Sequence, residues 1–447
     1  MGLLIPTLLS WMHSLVCLDI KGENWALTAG WRQKHGGNRC LRFDPAALTG
    51  SVKFNPLAEI RRETDHEVSD AQNIANMIVD PDGKGLNDHW AKTGFALLVG
   101  TILHCLYVEK EKGRMATILD VANCLADPAA PILETLTTML SYPHLGEEGP
   151  HPVVASCARE MLNKAENELS GVVSTTMSFL SLYRDPIVAR NTAISEFKIS
   201  DLMNHDKPVS LYIVVKPRDS KRLKPLIRLL INQIISTLAD GLEFENGEPK
   251  PSYKNRLLLL LDEFPSLGRL EIFEEALAYL AGYGLKAFLI CQDTAQLQKA
   301  YGEDESISSN CHIRIAYAPN KQKTARHLSE MLGTTTITKK SLTMSRGKGI
   351  LSFPQYSEKW DEIQRPLMTP DECSRLPGPK KDKDGKITLA GDMLVFAAGF
   401  APIYGKQILF FKDPVFLARS KVPPPRQTDT ILTLDMTFEA TTPGAGG

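Results

Sequence analysis

Residues 257–263 read Leu-Leu-Leu-Leu-Leu-Asp-Glu. Five successive apolar residues ending in two carboxylates fit a central strand buried between helices, because a strand covered on both faces carries no polar alternation. In an open α/β sheet the C-terminal end of such a strand reaches the crevice where ligands bind. That is the strand end a nucleotide hydrolase needs: Asp262 is placed to hold Mg²⁺, directly or through water. Glu263 is placed to orient or deprotonate the attacking water. The same pair also suits a solvated acidic strand end, since short motifs recur by chance.

Two neighbouring segments extend the reading. Residues 287–291 form the next apolar run and end at Gln292-Asp293. The Gln292 amide can sense a γ-phosphate or position water, and it can equally cap the following helix. Residues 15–19 are a third apolar run, with Lys21 and Glu23 at its tip as candidates for cofactor binding or as charges of a solvated turn.

Strands and helices alternate at both ends of the chain. Short apolar runs at 15–19, 39–44, 209–216, 257–261, 287–291 and 313–318 are separated or followed by helical stretches, notably 220–242, 270–281, 294–301 and 322–332. This alternation predicts a mostly parallel sheet with helices on both faces. From 64 to 180 the periodicity is helical throughout, broken at 81–83, 128–131 and 143–152, which predicts an all-α insertion. Residues 334–344 read as a strand, and 393–398 with 407–411 as a hairpin closing the sheet. The expected organisation is 1–63 and 181–420 as one nucleotide-binding domain, 64–180 as the insertion, and 421–447 as a disordered tail.

The chain has 447 residues, 43% hydrophobic and 23% charged, which is ordinary globular composition and enough for two or three domains. Lys and Arg number 51 against 52 Asp and Glu. So even a balance cannot grip nucleic acid over the whole surface, and any such contact needs a local patch. Lys216, Arg218, Lys221, Arg222 and Lys224 make one candidate patch, or a solvated helix start. Eight cysteines with no CxxC pair fit reduced thiols better than a disulfide framework or a zinc site. The uncharged first eighteen residues lack a positive leader region and a cleavage site. Residues 95–108 are shorter than the roughly 20 that span a bilayer, so a buried helix is expected there.

A phosphate-cradling loop requires Gly, four residues, then Gly-Lys-Ser/Thr. The Gly-Lys pairs begin at Gly83, Gly347, Gly385 and Gly405, and five residues earlier stand Ile78, Leu342, Lys380 and Phe400. None is glycine, so the 447 residues contain no such loop.

Residues 257–270 (LLLLLDEFPSLGRL) with Gln292-Asp293, 3–31 (LLIPTLLSWMHSLVCLDIKGENWALTAGW), 54–57 (FNPL) and 183–197 (YRDPIVARNTAISEF) closely resemble the TraG-type conjugative coupling proteins of type IV secretion systems. The similarity runs in order over roughly residues 2 to 415. It implies a RecA-like P-loop NTPase domain interrupted by an all-α domain, and a DNA-dependent ATPase using ATP and Mg²⁺. It also implies a homo-hexamer at the cytoplasmic face of the inner membrane, with a relaxase bound to single-stranded DNA and the inner-membrane components of the secretion system as partners. On this resemblance Asp262 and Glu263 are the Walker B pair and Gln292 a sensor. Arg190 and Arg314 are candidates for contacting a neighbouring subunit's nucleotide, and each also suits a salt bridge. Family members carry transmembrane helices and the phosphate loop ahead of the segment resembling 2–31. The expectation is therefore an N-terminally truncated form that is inactive alone and cytoplasmic by itself. The alternative is a non-enzymatic fragment that binds substrate protein or DNA.

Overall fold

The structure is a computed structural model that describes residues 2–241, 243–245, 248–250, 253–345 and 355–432. The chain divides into two compact units, one of residues 3–291 with 410 onward, the other of 292–409.

The first unit is built on a five-stranded parallel sheet in the order β2-β3-β1-β6-β7. Its strands are β1 (Ser14–Asp19), β2 (Arg39–Phe43), β3 (Val209–Val214), β6 (Leu257–Leu261) and β7 (Leu285–Leu289), while β4 (Glu243–Glu245) and β5 (Glu248–Lys250) form a separate small hairpin. Every residue of β1, β3 and β6 is buried, as continuous apolar strands require when both faces are covered. Helices α1 (Leu4–Ser10) and α2 (Glu23–Lys34) pack on the core formed by Leu15, Cys17, Tyr212, Leu258 and Leu260. Chain connections leave β1 toward β2 and leave β6 toward β7, so the direction of winding reverses between two adjacent strands.

Between β2 and β3 the described residues hold helices only: α3 (Glu67–Val79), α4 (His89–Glu111), α5 (Ile118–Leu125), α6 (Ile132–Ser141), α7 (Pro152–Leu162), α8 (Glu166–Leu180), α9 (Pro186–Asn191) and α10 (Asp201–Asn204), with short 3-10 turns. Asp88 caps α4 by accepting the Ala91 N–H at 2.8 Å. α4 is long and apolar enough to cross a membrane, yet most of that stretch is buried, against α3, α5, α7 and α8. Close approach to α7 depends on Gly100, where a Cβ would meet the Cys157 sulfur at 2.4 Å. Beyond β3 the long α11 (Ser220–Leu238) and short α12 (Glu271–Ala276) complete the helical cover, and α17 (Pro414–Ser420) returns to pack on α1 and α2.

The second unit contains α13 (Thr294–Tyr301), α14 (Ile307–Asn310), α15 (Gln322–Leu332) and α16 (Pro370–Ser374). Strands β8 (Ile313–Ala316), β13 (Asp392–Ala397) and β14 (Ile403–Lys406) form an antiparallel sheet, beside the ribbon β9 (Thr334–Ser345) and β10 (Gln355–Pro366) and the short pair β11 (Lys380–Lys381) and β12 (Ile387–Leu389). Its small core joins Ala325, Leu328 and Leu332 to Leu394 and Phe396.

Three expectations change. Residues 313–318 read as a strand of the parallel sheet, but β8 pairs antiparallel with β13, Ile315 opposite Val395. A four-residue apolar run suits either kind of ladder, and periodicity alone does not say which. The hairpin partner of β13 is β14 rather than 407–411, because Asp392 takes the Tyr404 hydroxyl and the Lys406 ammonium across the ladder. Residues 421–432, read as disordered tail, bond to the first unit: Asp429 N–H to Cys40 O at 3.0 Å, and Ile431 and Leu432 N–H to Glu196 O at 2.9 and 2.8 Å. The remainder of that tail, 433–447, lies outside the described residues.

Arg32 is fully buried in the first unit. Its guanidinium donates to Ser210 Oγ (2.8 Å), Leu8 O (2.8 Å), His13 O (2.7 Å), Asn38 Oδ1 (2.7 Å) and Trp11 O. Arg32→Met takes the guanidinium donor from all five acceptors, of which Asn38 Oδ1 keeps the Ser210 hydroxyl at 2.7 Å, and a loss of about 3–5 kcal/mol is expected, read as a lower urea midpoint. Midpoints within experimental error of each other would contradict this role for the guanidinium.

Among the helices between β2 and β3, His104 Nδ1 and His144 Nε2 share a hydrogen bond at 2.9 Å. Burial pushes both imidazoles from 6.5 down to about 4, helped by His144 for His104 and by His151 for His144. A folded pKa below the unfolded one favours the neutral rings in the fold, so their contribution is complete above pH 6.5. It is lost progressively as pH falls from 6.5 toward 4. Thermal melting followed by circular dichroism should show a lower midpoint at pH 5 than at 7.5, and a smaller drop in a His104→Gln, His144→Gln variant. An equal drop in both proteins would count against it.

Candidate nucleotide site at the sheet edge

The parallel register sets Leu18 of β1 opposite Leu261 of β6, so Asp19 and Asp262 leave the sheet side by side. This is where the winding direction reverses, the place where open α/β sheets bind ligands. Asp262 has its carboxyl pushed up by burial and by the neighbouring Glu263, against the Glu263 N–H and the Lys21 charge. Its Oδ1 accepts that N–H at 3.1 Å. A cation bound there would relieve the same repulsion.

Glu263 adopts φ 51° and ψ 39°, the left-handed region, which among the described non-glycine residues only Glu63 shares. The conformation costs about 1–2 kcal/mol. Its cause is the chain on either side. Leu261 O accepts the Ile290 N–H at 3.1 Å and the Phe264 N–H donates back to Ile290 O at 2.9 Å. Phe264 is buried against Phe273, ring centroids 5.1 Å apart, and begins a 3-10 turn (Phe264–Leu267) with Ser266 N–H on Glu263 O. Two residues, Asp262 and Glu263, thus stand between the bonds to Ile290 where a regular parallel ladder has one, and Glu263 takes up the extra residue.

Asp19 has a different task. Buried to 1% exposure, it accepts the Gly22 N–H on Oδ1 and the Trp25 N–H on Oδ2, both at 2.9 Å. A carboxylate thus fills the head of α2, where an anion is favoured by the unbonded N–H groups and the helix dipole. Burial raises its pKa, while these N–H groups oppose that. The turn from β1 to α2 is therefore already occupied by the protein's own anion and is not shaped as a phosphate cradle. The sequence marks Asp19 only as the acidic end of an apolar run. An Asp three residues before a glycine at a strand end is the local signal that points to the capping role.

The other sequence candidates distribute as follows. Lys21 and Glu23 are exposed in the β1–α2 turn, and Lys21 is near enough for its charge to act on Asp262. Arg190 is exposed on α9. Its neighbour Asn191 anchors that helix by donating to Pro45 O (3.0 Å) and Ala47 O (2.9 Å) after β2, three strands from β6. Gln292 and Arg314 belong to the second unit. There Asp293, not Gln292, caps α13, accepting the Ala295 N–H at 3.0 Å and pairing with Lys321 at 2.8 Å. Arg314 is exposed on β8. The structure thus brings together Lys21, Asp262 and Glu263, and it does not bring Arg190 to them.

Much of the basic cluster is neutralised by neighbours. Arg218 pairs with Asp219 (3.2 Å), Arg222 with Asp185 (2.5 Å) and Asp219 (3.2 Å), and Lys224 with Asp82 (3.0 Å). Charges engaged this way add little net field for a phosphate backbone. Among the described residues no group of three or more His, Cys, Asp or Glu side chains could hold a metal by itself. One buried-edge carboxylate is nonetheless a usual protein contribution to Mg²⁺, which keeps waters and takes phosphate oxygens for the rest.

Comparison with known proteins agrees with this geometry. The sequence profile of the family described as Type IV secretory system Conjugative DNA transfer matches residues 1–432. The conjugal transfer protein TraG of Escherichia coli is 54% identical over 96% of this chain, which spans 68% of TraG. Protein VirD4 of Agrobacterium fabrum is 29% identical over 92% of the chain and 57% of its own length. Among solved structures, the plasmid coupling protein TrwB in complex with ADP and Mg²⁺ aligns with a TM-score of 0.60 at 18% identity, over 90% of this chain and 81% of that one. That likeness shows the fold, a RecA-like α/β arrangement. The residues at the strand ends, the sheet order and the match over nearly the whole length lead to one assignment: the chain belongs to the type IV secretory system conjugative DNA transfer family, among its TraG-type coupling proteins.

Proposed function

We propose that this chain is the body of the coupling protein that links a relaxase bound to single-stranded plasmid DNA to a type IV secretion channel, as a homo-hexamer driven by ATP with Mg²⁺. The observation that carries the reading is the Asp262-Glu263 pair at the reversal of winding, with Glu263 held in a costly backbone conformation. Strain of that kind persists where surrounding structure imposes it, and such sites are often functional. Asp262 would hold the Mg²⁺, and Glu263 would orient or deprotonate the attacking water. Bound ATP and Mg²⁺ would supply phosphoryl transfer to water as the source of free energy. Gln292 as a sensor of the γ-phosphate, and Arg190 and Arg314 as contacts to a neighbouring subunit's nucleotide, belong to the same proposal. Exposure of both arginines is compatible with a contact from outside the subunit. Lys21 and Glu23, on the turn beside Asp262, would line the nucleotide's approach. The helices between β2 and β3 would form the domain that receives the relaxase.

A second reading, a binding module without turnover, is favoured by Asp19 filling the head of α2 and by the lack of a GxxxxGK loop in the 447 residues. Without those N–H donors and the lysine, transition-state charge on the phosphoryl group goes unstabilised. The purified chain with ATP, Mg²⁺ and single-stranded DNA should release phosphate no faster than the blank. Hydrolysis that disappears in Glu263→Gln would overturn that expectation. Retention of a relaxase–DNA complex on the immobilised chain tests the coupling role separately, and failure to retain it at physiological salt would refute substrate reception.

Glu263→Gly should raise the unfolding free energy by about 1 kcal/mol by relieving the left-handed backbone, whereas Glu263→Ala keeps the strain and gains nothing. Urea denaturation of the two variants checks this, and equal stabilities would show that the backbone at 263 is unstrained.

A further inference from the structure

β2 is an edge strand, and exposed edges invite another strand to add. Here nearly every outward group of β2 is already engaged, in a pattern unlike a ladder. Cys40 N–H donates to Asp429 Oδ2 at 2.7 Å and Arg42 N–H to Thr428 Oγ1 at 2.8 Å. Asp44 N–H donates to Ser51 Oγ at 2.9 Å. The carbonyls of Cys40 and Arg42 accept the Asp429 and Val52 N–H groups at 3.0 and 2.8 Å. Side-chain oxygens thus take the place of a neighbouring strand's carbonyls. The upstream half of the edge is covered by residues more than 380 positions away in sequence.

Two further observations show that this cover is fitted. Gln33 Nε2 reaches both Asp429 carboxylate oxygens at 3.1 Å, so α2 helps to place them. Gly30 on α2 has no room for a side chain: a Cβ there would lie 2.2 Å from Pro423 O and 2.4 Å from Val422 O. Farther upstream, Arg419 stacks on Trp31 at 4.6 Å and donates to Leu9 O at 2.7 Å, so the segment departs from a fixed point.

We infer that the β2 edge is a peptide-binding surface for an extended segment carrying a hydroxyl residue followed by a carboxylate residue, and that residues 428–432 of the chain fill it in cis. On β2 itself recognition runs through two side chains and one backbone pair, while Ile431 and Leu432 are tied to Glu196 O beside it, so the segment is selective and can be displaced, which a full strand of backbone bonds along β2 would resist. This goes beyond the coupling role and does not rest on nucleotide or relaxase.

Gly30→Ala in the full chain separates the proposal from simple instability, since alanine is the better helix former at an interior position. Hydrogen exchange at the Cys40 and Arg42 amides should rise at least tenfold, with the amides of β1 and β6 unchanged, and trypsin should cut after Arg426 sooner. A fluorescent peptide of residues 426–432, which omits the clashing part, should bind Gly30→Ala and Asp429→Ala chains but not the wild type. The same peptide with Thr428→Val and Asp429→Ala should bind at least tenfold more weakly. Unchanged exchange at residues 40 and 42, equal binding to all three proteins, binding to none, or equal binding of the two peptides would each overturn the proposal.

Discussion

One buried cation holds the first unit in register. Arg32 projects from α2 and bonds the carbonyls at the end of α1, the residue before β1, the asparagine before β2 and a serine within β3. An isolated buried charge would be prohibitive, and this one is tolerated because its donors meet five acceptors. Those acceptors belong to α1 and its end, to the residues before β1 and β2, and to β3, so α2 can sit in one place only. Since α2 begins at the turn beside Asp262, the geometry of the candidate site is fixed from the opposite end of the helix. A site built this way moves with the sheet rather than with a loop.

Two adjacent strand ends show how the same residue type is given two tasks. Asp19 is surrounded by N–H groups and closes a helix; Asp262 has a like charge beside it and a single N–H. The first is spent on structure, and the second leaves capacity for a cation. Glu263 adds a backbone cost that neither neighbour could relieve without moving Phe264 out of the core.

The parallel sheet was legible because short leucine, valine and isoleucine runs bounded by charges rarely pack as anything but strands covered on both faces. The helices between β2 and β3 were legible because their breaks are marked by proline and glycine. What escaped was set by tertiary partners. β8 has the composition of a core strand, yet its ladder partner lies some eighty residues on. The polar, proline-rich 421–432 stretch carries no periodicity, and its order comes from two side-chain oxygens meeting the edge of β2 and three backbone N–H groups on Cys40 O and Glu196 O. Asp262 and Glu263 could be named from the sequence, but the left-handed turn at Glu263 could not. It is dictated by bonds to Ile290 and by the burial of Phe264, neither of which a local pattern encodes.

The burial of α4 has a consequence for biosynthesis. Its packing partners α7 and α8 follow it in the chain, the last ending at Leu180. At about 5–20 residues per second, a ribosome presents this apolar helix for several seconds before its cover exists. During that interval the nascent chain carries a segment with the length and composition of a bilayer-spanning helix, and any machinery that reads hydrophobicity co-translationally meets it first as such. The stretch becomes a buried core helix only once α7 and α8 have been made and have packed against it.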